Sequence, residues 1–254
     1  MRILIPGYED KGWDEYEVPC VTGEIPAHAA KSLTRWMKRW IELDADQIIE
    51  ILTMEWANIR DPRVARFRDV ILKGRPCALA TDGTRWSLAL ERRCPEYNFD
   101  RRTVYIEAPL QPEDLELCLA QQGLRDHALM REFYTYFHGL RESGPIYAGN
   151  FERPEEWKSL RGIGWDENEF CEEYRTTSKE WLDALILYTT STGDMVIRNA
   201  EDQTAWALMA ENRVTPFAPS FAGFLEVCTK SYNLGFCLDY DNEIARGTAN
   251  NILE

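Results

Sequence analysis

Asp166, Glu167, Glu169, Glu172 and Glu173 place five carboxylates within eight residues, between Trp165 and Tyr174. A pair of carboxylates in different surroundings can act as general acid and general base in sugar or phosphate chemistry. Five of them with no basic residue in the run make an electrostatic patch instead. Such a patch suits lysine or arginine on a partner, with the aromatics as anchors and the carboxylates steering encounter. The same residues also fit a solvated acidic loop. Cys171, within the stretch, is a candidate nucleophile if a histidine and an acid reach it, and equally a buried inert thiol.

The rest of the chain adds little chemistry. His127 and His138 stand eleven residues apart on one predicted helix, so they cannot share a metal there, and His28 sits beside another helix start. The seven cysteines are widely spread, with no CxxC pair and no histidine at zinc spacing, which points to free thiols and no metal. Phosphate-loop, HExxH, GxSxG and dinucleotide-binding patterns are absent. No catalytic residue and no cofactor are therefore assigned. Asp194 and Trp206 are weaker candidates for partner contact, since a turn former and a sheet core residue explain them as well.

Charge narrows the partner class. The formal net charge is −14, divided as −4 over residues 1–126 and −10 over residues 127–254. An acidic field repels nucleic-acid phosphates and anionic lipid and speeds encounter with basic proteins, although it also serves plain solubility. Met1 to Ile5 run straight into Pro6-Gly7, so no signal-peptide core or membrane-spanning stretch is expected, and thiols of this kind suit a cytoplasmic setting.

Periodicity supplies the elements that position these residues. Pro6 to Pro26 has too few apolar positions for a regular element. Leu33, Trp36, Met37, Trp40 and Ile41 recur at helical spacing, and Asp44 with Gln47 makes a capping box ahead of Ile48, Leu52, Trp56 and Ile59. Pro62 opens a third helix carrying Val64, Phe67 and Ile71. Residues 77–81 and 86–90 flank Asp82-Gly83 as a hairpin, and residues 103–107 form a strand. Pro112 and Asp126 begin two further helices, stopped by Gly123 and Gly139. Residues 141–179 read as loop-rich. Residues 184–188, 195–198, 204–209 and 214–217 form an antiparallel meander, followed by a helix with Phe221, Phe224, Leu225 and Cys228 on one face.

This order of elements resembles the SUKH superfamily, which includes bacterial toxin-immunity proteins and fungal regulators of cell-wall glucan synthesis. The resemblance covers about residues 110–233. It rests on Leu115, Leu119 and Leu124, the run Phe133 to Leu140, Gly193-Asp194, Phe217-Ala218, Ser220-Phe221 and Phe224-Leu225. It implies a binding role without catalytic residues. The expected class is thus α+β, an antiparallel β-meander packed against helices and preceded by a mainly helical region with a hairpin. Residues 1–108 are read as that accessory region, 109–235 as the SUKH-like domain and 236–254 as an acidic tail. The expected function is non-enzymatic binding of a basic protein, such as a nuclease toxin, through Trp165, Asp166, Glu167, Glu169, Glu172, Glu173 and Tyr174, with Asp194 and Trp206. The alternative is a hydrolase using the 166–173 cluster or Cys171.

Overall fold

Capping side chains decide where the N-terminal helices begin. The computed structural model describes residues 2–5, 20–22, 25, 30–81, 85–93, 101–123, 128–143, 149–173, 181–190, 195–198, 206–210, 213–216 and 220–234. Thr34 caps α1 (Arg35–Lys38), its hydroxyl accepting from the Met37 N–H at 3.2 Å. Asp44 opens α2 (Ala45–Glu55) with the expected capping box: its carboxylate accepts from the N–H groups of Asp46 and Gln47, and the Gln47 side chain accepts from the Asp44 N–H. Asp61 caps α3 (Pro62–Ile71), with Pro62 at the first helical position, where its missing N–H costs nothing. Helices α4 (Pro112–Gln121), α5 (Ala128–Tyr136), α6 (Glu167–Glu173) and α7 (Phe221–Leu234) follow. Glu132 of α5 accepts from the N–H groups of Arg60 and Asp61 at 2.6 and 2.9 Å, tying α5 to the entry of α3.

Among the described residues, eleven strands form one sheet: β1 (Arg2–Ile5), β2 (Cys20–Thr22), β3 (Arg75–Thr81), β4 (Trp86–Arg93), β5 (Arg101–Glu107), β6 (Arg141–Ser143), β7 (Gly149–Phe151), β8 (Leu185–Thr190), β9 (Met195–Arg198), β10 (Trp206–Ala210) and β11 (Arg213–Pro216). From β3 to β11 each strand lies antiparallel beside the next in the chain. The β1–β2 pair joins the far edge of β3 through a parallel β1–β3 ladder. The class is therefore α+β, with a meander packed against helices. Pro216 lies on β11, an edge strand, where a missing donor is tolerated.

Strand alternation separates the two faces. Leu88 lies opposite Ile106 and Leu90 opposite Val104, and all four enter the main core. Their neighbours Ser87 and Ala89, opposite Glu107 and Tyr105, belong to the other face. The main core gathers buried residues from Leu33 to Tyr232, with Phe67 against the rings of Phe133, Phe137, Phe151 and Tyr232. A smaller core, Leu160, Phe170, Trp181, Leu182 and Ala184 with Ile186 and Ile197, covers β8 and β9 from the opposite side. The sheet and the main core both run through the position near Pro109 where the sequence suggested a boundary, so the two segments share one interior.

Three expectations change. The stretch 6–26 contains β2, which completes an edge ladder with β1 despite its short length. The loop-rich reading of 141–179 gives way to β6, β7 and α6, since three-residue strands are too short for alternation to show in sequence. The first helix is one turn long, although Met37 within it and Trp40 just after it are fully buried. The turns at Asp82-Gly83 and Gly193-Asp194, the Asp126 cap and the 236–254 tail lie outside the described residues.

Candidate functional site

Asp166 begins α6 as its cap, one carboxylate oxygen accepting from the N–H groups of Asn168 and Glu169 at 2.7 and 3.0 Å. Phe170 anchors the helix in the smaller core, and Trp165 is half-buried with its ring 6.4 Å from that of Phe170. Seven residues with one buried position leave the remaining faces to solvent: Glu169, Glu172 and Glu173 are exposed, and Glu167 is half-buried. Among the described residues, no cation forms a salt bridge with Glu169, Glu172 or Glu173. Ile163, in the turn before the helix, is 44% exposed. The structure therefore places Trp165 and Asp166 in one segment with the glutamates and gives Asp166 a helix-starting task. Trp206 stands apart on β10, opposite Arg198, and Tyr174 and Asp194 lie outside the described residues.

Cys171 is half-buried against the smaller core. His138 is engaged elsewhere: its Nε2 lies 2.9 Å from both oxygens of Glu155. Burial works against ionisation of Glu155, yet the hydrogen bond and charge of His138 hold its carboxyl below the usual range. Among the described residues no group of three or more His, Cys, Asp or Glu side chains could hold a metal ion, and no helix is long and apolar enough to cross a membrane.

No family model, curated protein or solved structure matches the chain. Its own geometry is what remains, and it contains a second polar assembly that the sequence did not reveal. At one end of β4–β7 a cavity of about 180 Å³ is lined by three arginines (Arg85, Arg141, Arg153) and three glutamates (Glu107, Glu152, Glu156), with Asn150 between them. Glu107 ends β5 with its side chain 6% exposed and forms an ion pair with Arg153; Arg85 pairs with Glu156. Gly139 makes the first pair possible. Its backbone is left-handed (φ +61°), and a Cβ there would lie 2.8 Å from the Glu107 carboxyl carbon and 2.9 Å from Arg153 Nε.

Arg141 and Glu152 are less fully matched. The Arg141 Nη2 donates to Ser87 Oγ at 3.4 Å, its guanidinium lies 5.7 Å from the Tyr105 ring, and its Nε stands 4.0 Å from Glu107 without a hydrogen-bond partner. Glu152 accepts from the Thr189 hydroxyl at 2.6 Å through one oxygen. Burial pushes its carboxyl above the ordinary range, the Thr189 hydrogen bond partly opposes this, and the Glu156 charge adds to it.

A raised folded-state value means that the native protein holds this proton more tightly than the unfolded chain does. Stability is then lost as pH rises from the ordinary carboxylate range through the raised value. Glu152→Gln is therefore expected to raise the unfolding midpoint at neutral pH, with the gain vanishing below about pH 4. Unfolding scans at both ends of that range check this; an equal gain at each would assign it to something other than ionisation.

The cavity residues come from the β3–β4 connection, β5, β6, β7 and the segment after β7. Spread over more than seventy positions, they form no motif. The only local sign is the charge density of Glu152-Arg153 and Glu155-Glu156.

Proposed function

We propose that the chain is a non-enzymatic protein-binding module of the immunity or regulatory kind, taking a basic protein partner such as a nuclease toxin on the α6 surface. The observation that carries this reading is the form of the segment Arg161–Glu173. It is fastened from beneath by Phe170, it leaves Glu169, Glu172 and Glu173 exposed, and Ile163 in the preceding turn is exposed as well. Exposed carboxylates with no salt-bridged cation among the described residues are available to a partner's lysines and arginines, and long-range attraction from a chain of net charge −14 favours their approach. A half-buried Trp165 at the edge supplies an aromatic anchor. The resemblance to the SUKH superfamily supports the same role.

The test begins by recovering the partner on immobilised wild-type protein and identifying it, after which association is followed with the purified pair. Replacing Glu169, Glu172 and Glu173 together by lysine is expected to slow association at least tenfold at low salt, with the wild-type rate falling steeply as salt is raised. Cooperative unfolding near the wild-type midpoint shows that the variant remains folded, since all three positions face solvent. Unchanged association kinetics would remove the α6 surface from the interface.

A further inference from the structure

Two of the arginine–glutamate combinations around the cavity close within the protein: Arg153 with Glu107, and Arg85 with Glu156. The other two charged groups on its wall are held more loosely: Arg141, whose Nε stands 4.0 Å from Glu107, and Glu152. Arg141 has an Nε without a hydrogen-bond partner and a single long bond to Ser87, while Glu152 is held through one oxygen by Thr189. The ladder fixes their side of the sheet. Arg141 lies opposite Asn150, and Asn150 opposite Thr189, so these three share a face, and the Thr189 hydroxyl draws Glu152 towards it.

We propose that this cavity binds a small zwitterion of the α-amino carboxylate class, its carboxylate on Arg141 and its ammonium on Glu152, at a site separate from the α6 surface. Charge complementarity selects the class. A guanidinium with only a 4.0 Å approach to Glu107 and a carboxylate held through one oxygen by Thr189, both lining one cavity, fit a ligand carrying one charge of each sign. An anion alone would leave Glu152 facing it, and a cation alone would leave Arg141. Size gives the second constraint: about 180 Å³ is below the range of drug-sized pockets, so it admits a molecule of few heavy atoms. Access is open, because the Arg141 side chain is 34% exposed. Asn150 adds an amide that can donate to the carboxylate and accept from the ammonium. Stability alone is a poor reason for so many charges, since buried ion pairs seldom outdo apolar packing of the same volume.

The experiment uses the full chain with glycine and L-alanine as probes, and acetate and ethylammonium as single-charge controls at matched ionic strength. Binding is read by calorimetric titration and by the rise of the unfolding midpoint with probe concentration. The zwitterions are expected to bind at least tenfold more tightly than either control. Arg141→Gln and Glu152→Gln are each expected to weaken them about tenfold, the loss of one charge-assisted contact. Arg141→Lys, which keeps the charge but not the fork, should also weaken binding and covers the case in which Arg141→Gln does not fold. The proposal is overturned by absence of binding of both zwitterions to the wild type, by acetate binding as tightly as alanine, or by wild-type affinity in the substituted proteins.

Discussion

Phe67→Ala is expected to lower the stability of the chain by about 3–5 kcal/mol, the usual cost of deleting a buried phenyl ring. The position earns the upper part of that range from its surroundings. Phe67 is fully buried on α3, and its ring meets those of Phe133 and Phe137 at 5.3 and 5.2 Å, Phe151 at 5.8 Å and Tyr232 at 5.5 Å. These partners come from α5 and the residue following it, β7 and α7, so a void at this point has rigid walls on several sides and little means of collapse. Urea unfolding should show a lower midpoint with an unchanged slope. Phe67→Leu retains most of the apolar volume and loses the ring pairs, so it should fall between wild type and alanine. A loss below about 1 kcal/mol for alanine would mean that the core closes over the gap and that this aromatic cluster is not the centre of the packing.

Arg153→Ala is expected to have an effect of similar size by a different mechanism. Glu107 has a side chain only 6% exposed, and Arg153 is its ion-pair partner; removing that partner leaves the nearest other guanidinium, that of Arg141, at 4.0 Å. Breaking a buried pair from one side costs about 3–5 kcal/mol, mostly because the surviving charge remains away from water. Removing both charges, as in Glu107→Gln with Arg153→Met, should recover much of the loss. The double-mutant cycle separates the coupling between the partners from the effect of each truncation. If the double variant is no more stable than Arg153→Ala, the stranded carboxylate is not the source of the cost.

Legibility in the sequence followed the range over which each feature is encoded. The Asp44–Gln47 capping box, the Pro62 helix start and the strand at Met195–Arg198 are written in a few adjacent residues, and the structure contains them as read. Strands β6 and β7 are different. They exist because three-residue pieces complete a ladder between β5 and β8, and their pairing partners lie far away in the chain. The same holds for the two surfaces. The carboxylates from Asp166 to Glu173 were visible because they are contiguous, whereas the seating of α6 on Phe170 required the fold. Glu107 and Arg141 gave no signal at all, and Arg153 showed only as part of a charged run, because what joins them is a sheet end and the left-handed turn at Gly139.

The strand order carries one more consequence. Because β3 to β11 are neighbours in the same order as they occur in the chain, the sheet can grow at one edge as synthesis proceeds, with no strand inserted between two already paired. Helix α7 breaks that rule of nearness. It packs on α3, and the Arg66–Glu226 ion pair spans 160 positions between them. Until Phe221–Leu234 has emerged from the ribosome, Phe67 and its aromatic neighbours have no cover on that side. A nascent chain halted before α7 would present this apolar face to whatever meets it first, so the interval before α7 emerges is the time of greatest exposure to chaperones and to aggregation.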